Sequence, residues 1–176
     1  TNNYADHIYT LSKGISWITF QNECAAIRID DQLCKQGKGI TLYSSFKQNL
    51  KGDKIYTVFE DSEGDEWILT NKGISIIGKK QVDSDFPFQY IKEADGIIYL
   101  VSQSDKLASY NFKTRQFKFI EIPYHVSMIN EVKKFDSNTL LLATDNGLII
   151  YKIKEKEFQL IDIRTSTQPS SVVQSV

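Results

Sequence analysis

Gly64-Asp65-Glu66-Trp67-Ile68-Leu69-Thr70-Asn71-Lys72-Gly73-Ile74 and Asn138-Thr139-Leu140-Leu141-Leu142-Ala143-Thr144-Asp145-Asn146-Gly147-Leu148 align without a gap. Each is an apolar run that closes on Thr, then a polar pair, then Gly and an aliphatic residue. Such a run followed by Asn-Gly or Lys-Gly reads as strand, tight turn, strand, with glycine supplying positive φ. Two weaker copies keep the register. Gly14-Ile15-Ser16-Trp17-Ile18-Thr19 sets Trp17 where Trp67 stands, and Gly96-Ile97-Ile98-Tyr99-Leu100-Val101-Ser102 sets Tyr99 there. The shared position recurs at 17, 67, 99 and 141, so successive spacings are 50, 32 and 42 residues. Their mean falls near the roughly 40–50 residues of one propeller blade.

A second repeated element precedes the first. His7-Ile8-Tyr9-Thr10-Leu11 and Lys54-Ile55-Tyr56-Thr57-Val58 are nearly one pentapeptide, and Ser171–Val176 has the same shape. The pattern predicts an all-β fold, a partial β-propeller of about four four-stranded antiparallel blades. The blades run roughly 1–50, 51–84, 85–124 and 125–165, with 166–176 opening a next one. Strands are expected near 7–11, 15–20, 25–30 and 40–46, then 54–59, 66–70 and 73–78, with a poor or absent fourth strand near 79–82. They continue near 88–93, 97–102, 106–112 and 117–122, then 129–134, 139–144, 148–154 and 157–163. Turn residues punctuate them at Glu63-Gly64, Asp95-Gly96, Lys113–Arg115, Asp136–Asn138 and Lys154–Lys156. No long helical pattern interrupts, and Pro87, Pro123 and Pro169 fall between units. A β-sandwich suits short, evenly spaced strands too; the gapless Thr-x-x-Gly register favours a propeller.

Composition narrows the function. Hydrophobic residues are 41% and charged residues 24%, ordinary for a globular chain. The net charge of −1, with no basic cluster, argues against nucleic acid as the partner. No apolar stretch approaches the roughly 18 residues of a membrane span, so no membrane contact is expected. Cys24 and Cys34 lack the spacing of a zinc site; a disulfide between them and a pair of free buried thiols both stay open. His7 and His125 are too few and scattered for a metal centre or a catalytic dyad. No nucleophile elbow, phosphate loop or HExxH is present. Carboxylates such as Asp30, Asp31 and Glu131 cannot be paired from sequence. The expectation is no catalytic residue, no metal and no cofactor. The acidic run Asp61, Glu63, Asp65 and Glu66 lacks the order of a calcium loop and reads as a solvated turn.

Phe59 to Ile74 resembles the two-component regulator propeller repeat. It matches at Asp61, Gly64, Trp67, Ile68, Thr70, Gly73 and Ile74, and departs at Glu66 and Leu69. Unit four keeps Thr144, Asn146, Gly147 and Leu148 but has Leu141 for the Trp. The resemblance implies a periplasmic sensor region of a hybrid two-component histidine kinase of Bacteroides-like bacteria, with the kinase outside this chain. It also implies an oligosaccharide as ligand. The remaining partners are the rest of the same propeller and a homodimer partner. A protein-interaction scaffold and part of a propeller-fold glycan-active enzyme are the alternatives.

Trp17, Trp67 and Tyr99 are expected in the core between blades. Ligands of propellers usually bind on the face of the second-to-third-strand turns and the blade connections. On that face Asn71, Gln103 and Asp145 offer polar tips, and Tyr43, Phe86 and Tyr124 offer rings for stacking. Phe46 and Phe88 are further aromatics of the same connections.

Overall fold

The computed structural model describes residues 4–20, 25–44, 50–52, 54–79, 82, 84–102 and 104–162. The chain divides into two compact units, residues 1–88 and 89–176. The first holds two antiparallel sheets. Sheet one is β1 (Ala5–Thr10), β2 (Ile15–Phe20), β3 (Ala25–Asp30) and β4 (Ile40–Ser44), paired in that order. Sheet two is β5 (Ile55–Glu60), β6 (Glu66–Thr70) and β7 (Gly73–Ile77), and it has three strands among the described residues. The second unit holds sheet three, β8 (Tyr90–Ala94), β9 (Ile97–Val101), β10 (Leu107–Asn111) and β11 (Gln116–Ile120). Sheet four follows with β12 (Ile129–Asp136), β13 (Thr139–Thr144), β14 (Gly147–Lys152) and β15 (Glu157–Ile161). Every sheet is an up-and-down meander, and the strands lie close to the stretches the sequence pattern marks. The expected fifth opening at 166–176 lies outside the described residues, as does Cys24.

The repeated turn owes its sequence to two atoms. Thr144 Oγ1 donates to the Gly147 carbonyl at 2.7 Å and accepts from Asn146 N at 3.1 Å. Thr70 does the same with Gly73 and Lys72, at 2.9 and 3.2 Å. Both hydroxyls are fully buried, so each satisfies turn groups that water cannot reach. Positive φ falls on the Gly that restarts the strand, +126° at Gly73 and +118° at Gly147. A Cβ on Gly73 would sit 2.0 Å from the Ser84 carbonyl oxygen. Glycine there answers both the backbone angle and the close passage of the next connection.

Register confirms the alignment of the repeats. Trp17 pairs with Tyr9, Trp67 with Phe59, Tyr99 with Lys92 and Leu141 with Lys133. The first strands of sheets one, two and four share an irregularity at Asp6, Tyr56 and Asn130. Trp17, Trp67 and Tyr99 are buried, as expected of core. Leu141 is half-buried. In the first unit Ile15, Trp17 and Ala26 of sheet one pack with Val58 and Ile68 of sheet two. In the second, Tyr99, Val101 and Leu107 of sheet three pack with Val132, Leu140, Leu142, Ile149 and Tyr151 of sheet four.

Two expectations are corrected. The acidic run is not solvated: Asp61, Asp65 and Glu66 are buried, and of the four only Glu63 is exposed. Cys34 is a free thiol but lies at the surface instead of in the core. It ends a one-turn helix, α1 (Asp31–Cys34), that the strand pattern did not show. Asp30 caps that helix by accepting from Gln32 N and Leu33 N, both at 3.1 Å.

Candidate functional site

The expected ligand face brings each turn onto its neighbouring connection. Asn71 Oδ1 accepts from Lys54 N at 3.1 Å, and Asn71 N donates to the Lys54 carbonyl at 3.0 Å. Asp145 takes the same place in sheet four. Its carboxylate accepts from Ser127 N and Met128 N at 3.1–3.2 Å, and Asn146 Nδ2 donates to the His125 carbonyl. Both polar tips therefore tie their turn to the start of the sheet's own first strand. Local turn chemistry does not indicate these partners, because the bonds span 17 and 18 residues. Gln103 and Phe46 lie outside the described residues.

The aromatic candidates are packed. Tyr43, on the last strand of sheet one, is half-buried with its ring 4.9 Å from that of Trp17. Burial raises its phenol pKa, and nearby Arg28 offsets part of the rise. Phe86 lies against Phe88 at 4.7 Å, and Phe88 is buried. Tyr124 donates from its hydroxyl to the Phe158 carbonyl at 3.1 Å. Each ring is only partly available to a ligand. The structure does bring Tyr124 and Asp145 to one turn-and-connection surface. Asn71 and Phe86 likewise share one, because Ile74 N donates to Ser84 O beside Phe86.

At the opposite, first-turn end of the first unit lies a cleft of about 490 Å³. It runs between β1 and β5 and is lined by Tyr9, Ser12, Phe59 and Glu60 with Ile8 and Leu11. This volume falls within the range of small-molecule sites. The Glu60 carboxylate accepts from both the backbone N–H and the hydroxyl of Ser12. Its orientation is thus fixed, and its remaining lone pairs are open to a hydroxyl-bearing ligand. Burial pushes the Tyr9 phenol pKa up, and its hydroxyl donates to the Tyr56 carbonyl at 3.4 Å. The sequence reading missed this cleft; its walls are the ends of the two first strands, Ile8–Ser12 and Val58–Glu60, which follow the paired His7–Leu11 and Lys54–Val58 repeats.

Beside the cleft is a buried polar clamp. Glu66 Oε2 accepts from Trp17 Nε1 at 2.6 Å. Arg28 binds the same carboxylate through Nε at 3.0–3.1 Å and Nη2 at 2.7 Å. In sheet two Asp61 Oδ2 accepts from Trp67 Nε1 at 2.8 Å and Asp65 Oδ1 from Lys79 N at 2.9 Å. These acids hold indoles and backbone. Among the described residues no group of three or more His, Cys, Asp or Glu side chains could hold a metal ion.

No protein-family model matches the chain. No curated protein matches it by sequence. Solved structures do match. One is the extracellular domain of BT4673, assigned to a hybrid two-component system of B. thetaiotaomicron, with TM-score 0.73 at 19% identity over 98% of this chain and 24% of that one. The extracellular domain of BT3049, assigned to a hybrid two-component system of the same organism, matches with TM-score 0.69 at 20% identity over 97% and 23%. Virginiamycin B lyase of Staphylococcus aureus matches with TM-score 0.63 at 18% identity over 90% and 55%. The chain thus spans about a quarter of the length of the first two. Together with the four meander sheets, these likenesses show the fold: an all-β partial propeller.

Proposed function

We propose that this chain is a ligand-sensing propeller segment, lying outside the cytoplasm in the periplasm, of a hybrid two-component sensor histidine kinase. It recognises an oligosaccharide and passes the signal to a kinase outside this chain, and the segment itself is non-catalytic. The observation that carries the reading is the match of nearly the whole chain to the extracellular domains of BT4673 and BT3049. The repeat around Trp67 and Thr70 points the same way. No helix among the described residues is long and apolar enough to cross a membrane, which agrees with a segment lying to one side of one.

The cleft of the first unit is the proposed recognition site. Tyr9 offers apolar ring surface to the CH face of a sugar, and Glu60 and Ser12 offer hydrogen bonds to its hydroxyls. Isothermal titration of the chain against a panel of neutral oligosaccharides tests this. A saturable binder is expected, and Glu60→Ala should weaken it by about 10–100-fold, as for lost hydrogen bonds to a charged group. Binding unaffected by Glu60→Ala would move the site elsewhere. No binding by any glycan, in the chain or in the product of its complete reading frame, would sink the sugar-sensing reading.

A further inference from the structure

The cleft between β1 and β5 has one charged residue in its lining, Glu60, and no basic one. The repeat does not demand an acid there. Glu60 pairs with Glu66, one step beyond the Phe59–Trp67 pair, and the same register position is Thr10 in sheet one and Lys134 in sheet four. Glu60 takes its two bonds from Ser12 and forms no ion pair with a described residue. A Cβ on Gly64 would lie 3.3 Å from Lys13 Nζ and 3.8 Å from Glu60 Oε1, which sets the Lys13 ammonium at the β5–β6 turn beyond the cleft. That turn also carries Asp61, Glu63 and Asp65, so Lys13 is outnumbered and the charge beside the cleft is negative.

Hydrogen-bond capacity points the same way. Ser12 gives both its backbone N–H and its hydroxyl hydrogen to Glu60. Tyr9 spends its hydroxyl hydrogen on the Tyr56 carbonyl, and Leu11 N donates to the Ile15 carbonyl at 2.8 Å. What Glu60 and Ser12 still present is acceptors: the remaining carboxylate lone pairs and those of Ser12 Oγ. The Thr10 hydroxyl is a third oxygen able to accept. The Tyr9 ring supplies an electron-rich face, to which a cation is drawn. A primary ammonium, with three donors, no acceptor and a positive charge, matches this set. A ligand carboxylate would meet Glu60 with no basic side chain in the lining to offset it. An acetamide carbonyl would find Thr10 as its one side-chain donor.

We infer that the cleft takes an oligosaccharide bearing a free amino group, with its ammonium seated between the Glu60 carboxylate and the Tyr9 ring. This rests on the sugar-sensing reading and adds to it the charge of the ligand. Glu60 makes the charge-assisted bond, Ser12 Oγ and Thr10 take the remaining hydrogens, and the sugar ring lies along Tyr9.

Isothermal titration of the product of the complete reading frame tests the charge requirement. The ligands are glucosamine oligomers, their N-acetylated counterparts, oligogalacturonate and spermidine, at a pH where the amines are protonated. The free-amine oligomer should bind about 10–100-fold tighter than its N-acetylated counterpart, the size of a hydrogen bond to a charged group. Glu60→Gln keeps an oxygen for Ser12 but removes the charge, so it should narrow that gap to within about threefold. In the unaltered protein, raising ionic strength from about 0.05 to about 0.5 M should weaken the free-amine oligomer and leave the N-acetylated one as it was. Equal affinity for the two oligomers overturns the inference and leaves the sugar-sensing reading standing, and so does tighter binding of oligogalacturonate. Spermidine binding as tightly as the glucosamine oligomer also overturns it, because the sugar ring then contributes nothing. Absence of binding by every glycan sinks the sugar-sensing reading and the inference with it.

Discussion

Replacing Glu66 with Ala should be among the most damaging single changes in the first unit. The Glu66 side chain is 8% exposed and that of Arg28 18%. The substitution removes the acceptor from Trp17 Nε1, which is fully buried, and both guanidinium bonds of Arg28. An orphaned buried donor costs about 1–3 kcal/mol. Breaking a buried pair by removing one partner costs about 3–5 kcal/mol, because a charge is left behind. Asp30, 3.7 Å from Arg28 Nη1, compensates part of that charge. The net expectation is a loss of about 3–5 kcal/mol, a large fraction of the roughly 5–15 kcal/mol that holds a domain together. Urea unfolding followed by tryptophan fluorescence reads it directly, since Trp17 and Trp67 are the two tryptophans and both are buried. The double change Arg28→Met with Glu66→Leu should recover much of the loss, because no uncompensated charge then remains. A Glu66→Ala protein within about 0.5 kcal/mol of the parent would place it among neutral surface changes and refute the clamp.

Three further outcomes follow from the same geometry. Gly73→Ala should cost more than about 3 kcal/mol, since strain at positive φ adds to a 2.0 Å clash with backbone. Gly37→Ala, with φ +72° and nothing within 4 Å, should cost only about 1–2 kcal/mol, and equal melting shifts for the two would contradict the steric argument. Thr144→Val keeps the shape but strips both turn bonds in a fully buried site, so chemical denaturation should show a loss of about 1–3 kcal/mol. Asp136 has its pKa lowered first by the backbone N–H of Asn138, and Glu155 first by the Asn138 side chain. Depressed carboxylates stabilise the fold above their unfolded pKa and lose that contribution as pH falls, so stability should decline below about pH 4. Asn138→Ala removes the side-chain bond to Glu155 but keeps the backbone N–H that binds Asp136, so it should flatten only the Glu155 share of that decline in melting curves taken from neutral to acid pH, and an unaltered slope would count against it.

The fold was legible because the Thr-x-x-Gly turn demands its residues chemically. Thr70 and Thr144 must close a buried turn, and Gly73 and Gly147 must accept positive φ, so sequence and register had to agree. Trp17 and Tyr99 stayed readable for the same reason, as they sit in phase with Trp67. The clamp was not legible. Glu66 looks like one more acid of a polar turn, and its burial depends on Trp17 and Arg28, some fifty and forty residues away in sequence. Asn71 and Asp145 sit in turns as read, yet their side chains bond the backbone that opens the first strand of their own sheet, at Lys54 and at Ser127 and Met128. The cleft escaped notice because its walls, Tyr9–Ser12 and Val58–Glu60, meet only when two sheets pack.

The most direct test of the sensing account is phosphoryl transfer by the product of the complete reading frame, reconstituted in membranes and challenged with an oligosaccharide panel. The account predicts that one glycan class raises transfer several-fold and that Glu60→Ala shifts this response to higher glycan concentration. A complete product without phosphoryl transfer, or one whose transfer no glycan alters, would contradict it.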